Sequence, residues 1–225
     1  MLRNLARGLP VVYTGAPMDW QLCYATGESP WDLRAMTPPL LALLRGGELT
    51  SLGLPEHAEV AIPGCGRGHD LRAWAGAGHR AIGFDIAPNV VAEAKALLRL
   101  NRVEGAEVLC RDLLGIGHEF AARFDAVYDY TCYCALPPHL RSAYGREIAA
   151  VVKDGGLWIG LAYPLRPRPA RPDGAAGPPF LVRREDLVET FARDFEFVVD
   201  FEPEDSVPMR AGAERWFIWR RRARA

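Results

Sequence analysis

A glycine-rich turn, Gly64-Cys65-Gly66-Arg67-Gly68, follows the apolar run Glu59-Val60-Ala61-Ile62 and leads into Asp70 to Ala75, which reads as helix. Glycines between a strand and a helix allow a sharp bend and let the backbone come close to a ligand. A second apolar run, Arg80 to Phe84, stops at Asp85, where a carboxylate can accept from both hydroxyls of a ribose. A third, Ala106 to Cys110, is followed by Asp112, where a carboxylate can accept from the adenine amino group. Single aspartates at strand ends are also common turn formers. Two at corresponding strand ends, beside a glycine turn, agree with one adenosyl site. The dinucleotide fingerprint asks for glycine at 69, which is His69, whereas glycine at 68 favours the loop of S-adenosylmethionine (SAM) sites, which holds no pyrophosphate. A nicotinamide site is the weaker alternative.

Other reactive side chains are few. His69 sits at a helix start, His139 in the PPHLR turn, and His57, His79 and His118 in loops or at strand edges, so none stands out as a dedicated base. Cys132 and Cys134 form a C-x-C without the second cluster that zinc requires, and read as small residues packed beside a pocket; no metal is expected. Five cysteines, an odd count in a long chain, point to reduced thiols and a cytoplasmic location.

The elements that must position these residues alternate regularly. Residues 1–36 look irregular and carry Trp20 and Trp31. Pro38 and Pro39 open a helix with Leu40, Leu41, Leu43 and Leu44 on its apolar side. After the first two strands, Pro88 to Asn101 reads as helix, Phe124 to Asp129 as the fourth strand, Pro137 to Lys153 as helix and Leu157 to Ala162 as the fifth strand. Such alternation predicts a parallel sheet covered on both faces. Residues 163–179 are rich in proline and glycine and predict a long loop over the mouth of the site, with Arg166, Arg168 and Arg171 keeping it solvated. Arg184 to Arg193 returns to helix, and Phe195 to Phe201 with Arg215 to Arg220 predict an antiparallel edge pair. The expected fold is therefore α/β and Rossmann-like: a seven-stranded, mostly parallel sheet with helices on both faces and a C-terminal antiparallel strand pair. Residues 1–36 are expected to form a segment covering the cofactor, and 37–225 the main domain.

The 225 residues are 49% hydrophobic and 24% charged, with a formal net charge of -1. That composition excludes disorder and a disulfide-stapled miniprotein. It supplies no global field for nucleic acid or an acidic membrane, and the basic tail Arg220-Arg221-Arg222 does not change this. No apolar stretch approaches the roughly 18 residues of a membrane span, and MLRNLARGLPVVYTG makes a poor signal peptide.

Four stretches carry a family resemblance: SPWDLRAMTPPLL (29–41), IPGCGRGHDL (62–71), YDYTCYCALPPHLR (128–141), and GPPFLV (177–182) with the later RAGAERW (210–216). Over about residues 18–222 the chain resembles the thiopurine S-methyltransferase family, especially its branch of halide and thiol methyltransferases. Many SAM enzymes carry an acid two positions before the first glycine; here it is Ile62, which this family tolerates. The resemblance implies SAM as cofactor and S-adenosylhomocysteine as product. By position, Trp20, Tyr24 and Trp31 would close over the cofactor. Gly64 and Gly66 would lie beneath its methionine part, Asp85 with Ile86 at the ribose, and Asp112 and Leu113 about the adenine. Tyr130 would flank the sulfonium and the acceptor, and Arg141 would stand near the acceptor pocket, the two being the catalytic candidates.

SAM carries its methyl already activated, so alignment and desolvation do most of the work. The absence of an evident base agrees with a soft nucleophile, a thiolate or related small anion. The expected protein is thus a SAM-dependent S-methyltransferase, monomeric, with a small-molecule acceptor. Methyl transfer to oxygen or nitrogen, or SAM binding without catalysis, are the alternatives.

Overall fold

The structure is a computed structural model and describes residues 18–169 and 177–224. Residues 1–17 and Arg171 fall outside that range, so the signal-peptide reading and part of the predicted loop do too. Strands β1 (Glu59–Pro63), β2 (Arg80–Asp85), β3 (Ala106–Cys110), β4 (Phe124–Tyr130), β5 (Val152–Ala162), β6 (Phe195–Phe201) and β7 (Arg215–Arg221) form one sheet. Their order is β3-β2-β1-β4-β5-β7-β6. The first five run parallel, and β7 lies between β5 and β6, antiparallel to both.

The helices are α1 (Trp20–Thr26), α2 (Pro38–Gly46), α3 (Glu48–Ser51), α4 (His69–Gly76), α5 (Pro88–Leu100), α6 (Arg141–Val151) and α7 (Arg184–Phe191). Helices α2 to α5 bury Leu40, Leu71, Trp74 and Val91 on one face of the sheet. On the other face, α6 and α7 bury Ile148, Val151, Leu187 and Phe191 against Val127 and Trp158. Val91, Ala94 and Leu98 stand at helical spacing on α5, and a proline opens both α2 and α5, where its missing N–H costs nothing. With both faces covered, the central strands carry buried apolar runs, Val60–Ile62 in β1 and Ala126–Tyr128 in β4.

Three expectations need correction. Residues 20–26 are helical rather than irregular: Asp19 caps α1 by accepting the Leu22 N–H at 2.9 Å, and Tyr24 packs on Ala87 and Val90 at the start of α5. The helix expected over 137–153 is α6 alone, preceded by a 3-10 turn at Pro138–Leu140. Strand β5 begins at Val152, not Leu157, because a register shift between Phe124 and Ala126 of β4 absorbs the Asp154-Gly155-Gly156 turn within the pairing.

The order 3-2-1-4-5 makes the gap between β1 and β4 a topological switch point. Ligands of open α/β sheets bind there, beyond the carboxyl ends of the strands.

Candidate functional site

The glycine turn leaves β1 with Gly64, Gly66 and Gly68 at φ +58°, +52° and +76°. Only glycine takes such angles freely, and a Cβ on Gly66 would lie 3.1 Å from the Tyr24 hydroxyl. The Cys65 amide donates to the Phe84 carbonyl at 3.1 Å, tying the turn to β2. Asp85, at the end of β2 and 7% exposed, accepts the Gly66 N–H at 2.9 Å and the Ala87 N–H at 3.0 Å. Burial raises its carboxyl above the ordinary range, and those donors work against the rise. Each carboxylate oxygen has a second lone pair, so Asp85 can still accept from a vicinal diol. Ile86, next along, is 52% exposed. Asp85 pairs with Cys110 across β2 and β3, which sets Asp112 at the neighbouring strand end. Asp112 is exposed and accepts the Leu114 N–H at 2.9 Å, and Leu113 beside it is buried.

A cleft of ≈ 550 Å³ opens between this turn, residues 31–37 and the end of β4. Its aromatic side is one packed unit. Trp31 meets Trp20 edge-on at 5.4 Å and Tyr24 at 5.7 Å, and its ring N–H donates to the Tyr24 hydroxyl at 3.2 Å. Tyr130 lines the cleft, and its hydroxyl donates to Glu214 Oε2 at 2.8 Å. Burial raises the Tyr130 pKa, with Arg210 opposing and Glu214 reinforcing, so this hydroxyl stays a donor. Arg210, 2% exposed, lies 4.8 Å from the Tyr130 ring centre and donates to the Trp31 carbonyl at 2.8 Å. Across the cleft, Asp70 accepts from the Thr37 amide, the Thr37 hydroxyl and the Tyr128 hydroxyl at 2.8, 2.8 and 3.0 Å.

A second, smaller cavity of ≈ 210 Å³ lies on the other side of the β4 end, with Asp129, Tyr133, Cys134, Trp158 and Tyr163 in its walls. Thr131 lines both cavities and has φ +67°, an outlying angle for a β-branched residue. Asp129 accepts the Tyr144 O–H at 2.5 Å and the Tyr133 N–H at 3.1 Å, and Trp158 donates to the Tyr144 hydroxyl at 3.0 Å. Burial pushes the Asp129 carboxyl up to about 6, against an ordinary 3.8. The folded chain therefore holds this proton at pH values where the unfolded chain has released it. Asp129 adds stability below its unfolded pKa, and that contribution is lost as pH rises to about 6. The change is roughly 3 kcal/mol. Denaturant titrations of wild type and Asp129→Asn should give a stability difference that changes across pH 4–6, and a difference independent of pH would contradict the assignment.

Most of the expected residues come together here. Trp20, Tyr24 and Trp31 pack as one group, Gly64, Gly66, Trp31, Tyr24 and Tyr130 line the larger cleft, and Asp85, Ile86, Asp112 and Leu113 cluster at the adjoining strand ends. Arg141 does not join them. It is 4% exposed and lines neither cavity; it donates to Asp186 at 2.8 Å and to the Leu181 carbonyl at 3.0 Å, with its guanidinium over the Tyr133 ring. The α6–α7 packing has taken up the guanidinium expected near the acceptor. Cys132 and Cys134 are held as thiols, because burial raises both pKa values, that of Cys134 to about 12. Sequence reasoning assigned no role to Arg210, Glu214, Asp70 or Thr37. The one visible signal was the Arg and Glu of RAGAERW, charges set just ahead of an apolar strand.

The residues present fit SAM. Asp85 keeps acceptor capacity for a ribose, and the cleft is lined by Trp31, Tyr24 and Tyr130, aromatic systems that attract a cation such as a sulfonium. A profile of the thiopurine S-methyltransferase (TPMT) family matches residues 16–222. The chain is 28% identical over 204 residues to "Probable thiol methyltransferase 2" of Arabidopsis thaliana, covering 90% of this chain and 84% of that one. It is also 28% identical to "Thiocyanate methyltransferase 1" of the same plant, again over 90% and 84%. The crystal structure of Burkholderia thailandensis 1,6-didemethyltoxoflavin-N1-methyltransferase shares the fold at a TM-score of 0.67, with 22% identity over 90% of this chain and 85% of that one. With the family profile running from before α1 to the end of β7, the chain belongs to the thiopurine S-methyltransferase family.

Proposed function

We propose that the protein is a SAM-dependent methyltransferase that S-methylates a small thiol, presented as its thiolate, or a related soft anion such as thiocyanate. When bound, SAM supplies a methyl group activated on a sulfonium. Asp85, with Ile86 beside it, grips the ribose hydroxyls, Asp112 and Leu113 frame the adenine, and Gly64 and Gly66 let the backbone approach the methionine part. Trp20, Tyr24 and Trp31 act as a cover that excludes water, which raises the reactivity of an anionic nucleophile.

Tyr130 carries the reading. Its ring lines the cleft while its hydroxyl donates into buried Glu214. It therefore offers a π face and no proton acceptor, which suits a nucleophile that arrives already ionised. A hydroxyl acceptor, by contrast, needs its proton removed as the methyl is transferred. Cys65, Cys110, Cys132 and Cys134 are free thiols, which suits a reducing cytoplasm.

The test is formation of S-adenosylhomocysteine from SAM with hydrosulfide, thiocyanate and an aromatic thiol, against alcohol and amine controls. Turnover of thiols, rising with pH through each thiol's own pKa, is expected. Turnover of alcohols or amines alone would reject S-methylation.

A further inference from the structure

His69, the first residue of α4, lines the cleft beside Gly64 and Gly66. Both of its ring nitrogens are buried and neither has a hydrogen-bond partner. Among the described residues, it is the one cleft-lining side chain with buried polar atoms left unpaired. Buried polar groups are ordinarily paired, so an imidazole with both nitrogens open is set to meet something the chain does not supply. Nε2 lies 3.6 Å from Asp32 Oδ1, beyond hydrogen-bond range, and the His69 side chain is 16% exposed. Asp32 is held in place by Arg67, which donates to Oδ2, and by the Arg34 N–H, which donates to Oδ1 at 2.7 Å. The cleft wall here therefore offers a fixed carboxylate and an imidazole with one donor and one acceptor, close together beside the glycine turn.

A zwitterion matches that pair. We propose that His69 and Asp32 bind the amino-acid end of the cofactor: the imidazole N–H donates to its carboxylate, and Asp32 accepts from its ammonium. The proposal rests on the assignment of SAM as the cofactor and adds which side chains recognise its methionine part. His69 then acts as a binding and positioning residue rather than as the base that sequence reasoning looked for.

Calorimetry with two ligands separates the possibilities. S-Adenosylhomocysteine carries the amino acid; 5′-methylthioadenosine keeps the adenosine and the thioether sulfur but lacks it. Wild type should bind the first more tightly. His69→Ala should weaken S-adenosylhomocysteine by about ten- to a hundredfold, the range for one hydrogen bond to a charged group, and leave methylthioadenosine within twofold. His69→Gln, which keeps a donor and an acceptor, should recover part of the loss. If His69→Ala weakens both ligands equally, or neither, the assignment is overturned. If wild type prefers methylthioadenosine or binds the two alike, it is also overturned. If wild type binds neither ligand, the cofactor assignment itself fails, an outcome distinct from those.

Discussion

Asp85→Ala is expected to bind S-adenosylhomocysteine at least about a hundredfold more weakly than wild type, with kcat/KM falling at least as far. Hydrogen bonds to a charged group contribute about 1.5–3 kcal/mol each, and tenfold in affinity is about 1.4 kcal/mol. A carboxylate that grips both ribose hydroxyls therefore accounts for two or more powers of ten. The same side chain also holds the site's own backbone. It accepts from Gly66, at the apex of the glycine turn, and from Ala87, which leads into α5. Removing it orphans two N–H groups and frees the turn to move, so the variant should also melt at a lower temperature. Asp85→Asn perturbs both roles at constant volume. Its amide nitrogen would face the donors at Gly66 or Ala87, so the turn is disturbed even though the volume is unchanged. Isothermal calorimetry with S-adenosylhomocysteine and thermal melts of the free protein measure each effect. Binding within threefold of wild type in Asp85→Ala would remove the ribose contact from the account.

Arg141→Met should destabilise the protein by about 3 kcal/mol, at the low end for breaking a buried ion pair because Asp186 keeps partial access to solvent. For a chain of this size that corresponds to a drop of roughly 6–12 °C in Tm. Asp186 does two jobs: it receives Arg141 and accepts the Arg183 N–H at 2.9 Å at the start of α7. Losing the guanidinium leaves a carboxylate poorly solvated beneath that helix, and the Leu181 carbonyl loses its donor. Affinity for S-adenosylhomocysteine should not change, because Arg141 lines neither cavity. The double variant Arg141→Met/Asp186→Asn should recover part of the stability, giving a coupling energy that a solvated helix arginine would not show. An unchanged Tm with a large fall in kcat/KM would return Arg141 to the acceptor pocket.

These two residues show how far local pattern reaches. The place of Asp85 was legible because it depends on position along the chain: it ends an apolar run one crossover after a glycine turn, and parallel βαβ connections are right-handed and regular. Strand spacing then places it beside β1 whatever the rest of the chain does. Arg141 was not legible. Its partner Asp186 lies on α7, and no local signal states that α6 and α7 pack on the same face of the sheet. Helix α1 was missed for a related reason. Seven residues are too few to hold a helix alone, and this one persists through its Asp19 cap and its docking on α5.

From residue order come the alternating strands, the glycine turn and the strand-end aspartates, since these rest on periods of two and 3.6 residues and on the steric freedom of glycine. Tertiary packing alone set how the polar groups of the cleft wall are tied: Arg210 donates to the Trp31 carbonyl from behind it, Glu214 holds Tyr130, Asp70 anchors Thr37, and His69 is left without a hydrogen-bond partner beside Asp32. The reason is physical. Whether a polar side chain is spent or available depends on which distant groups satisfy it once water has been removed, and that pairing exists only after the chain has folded.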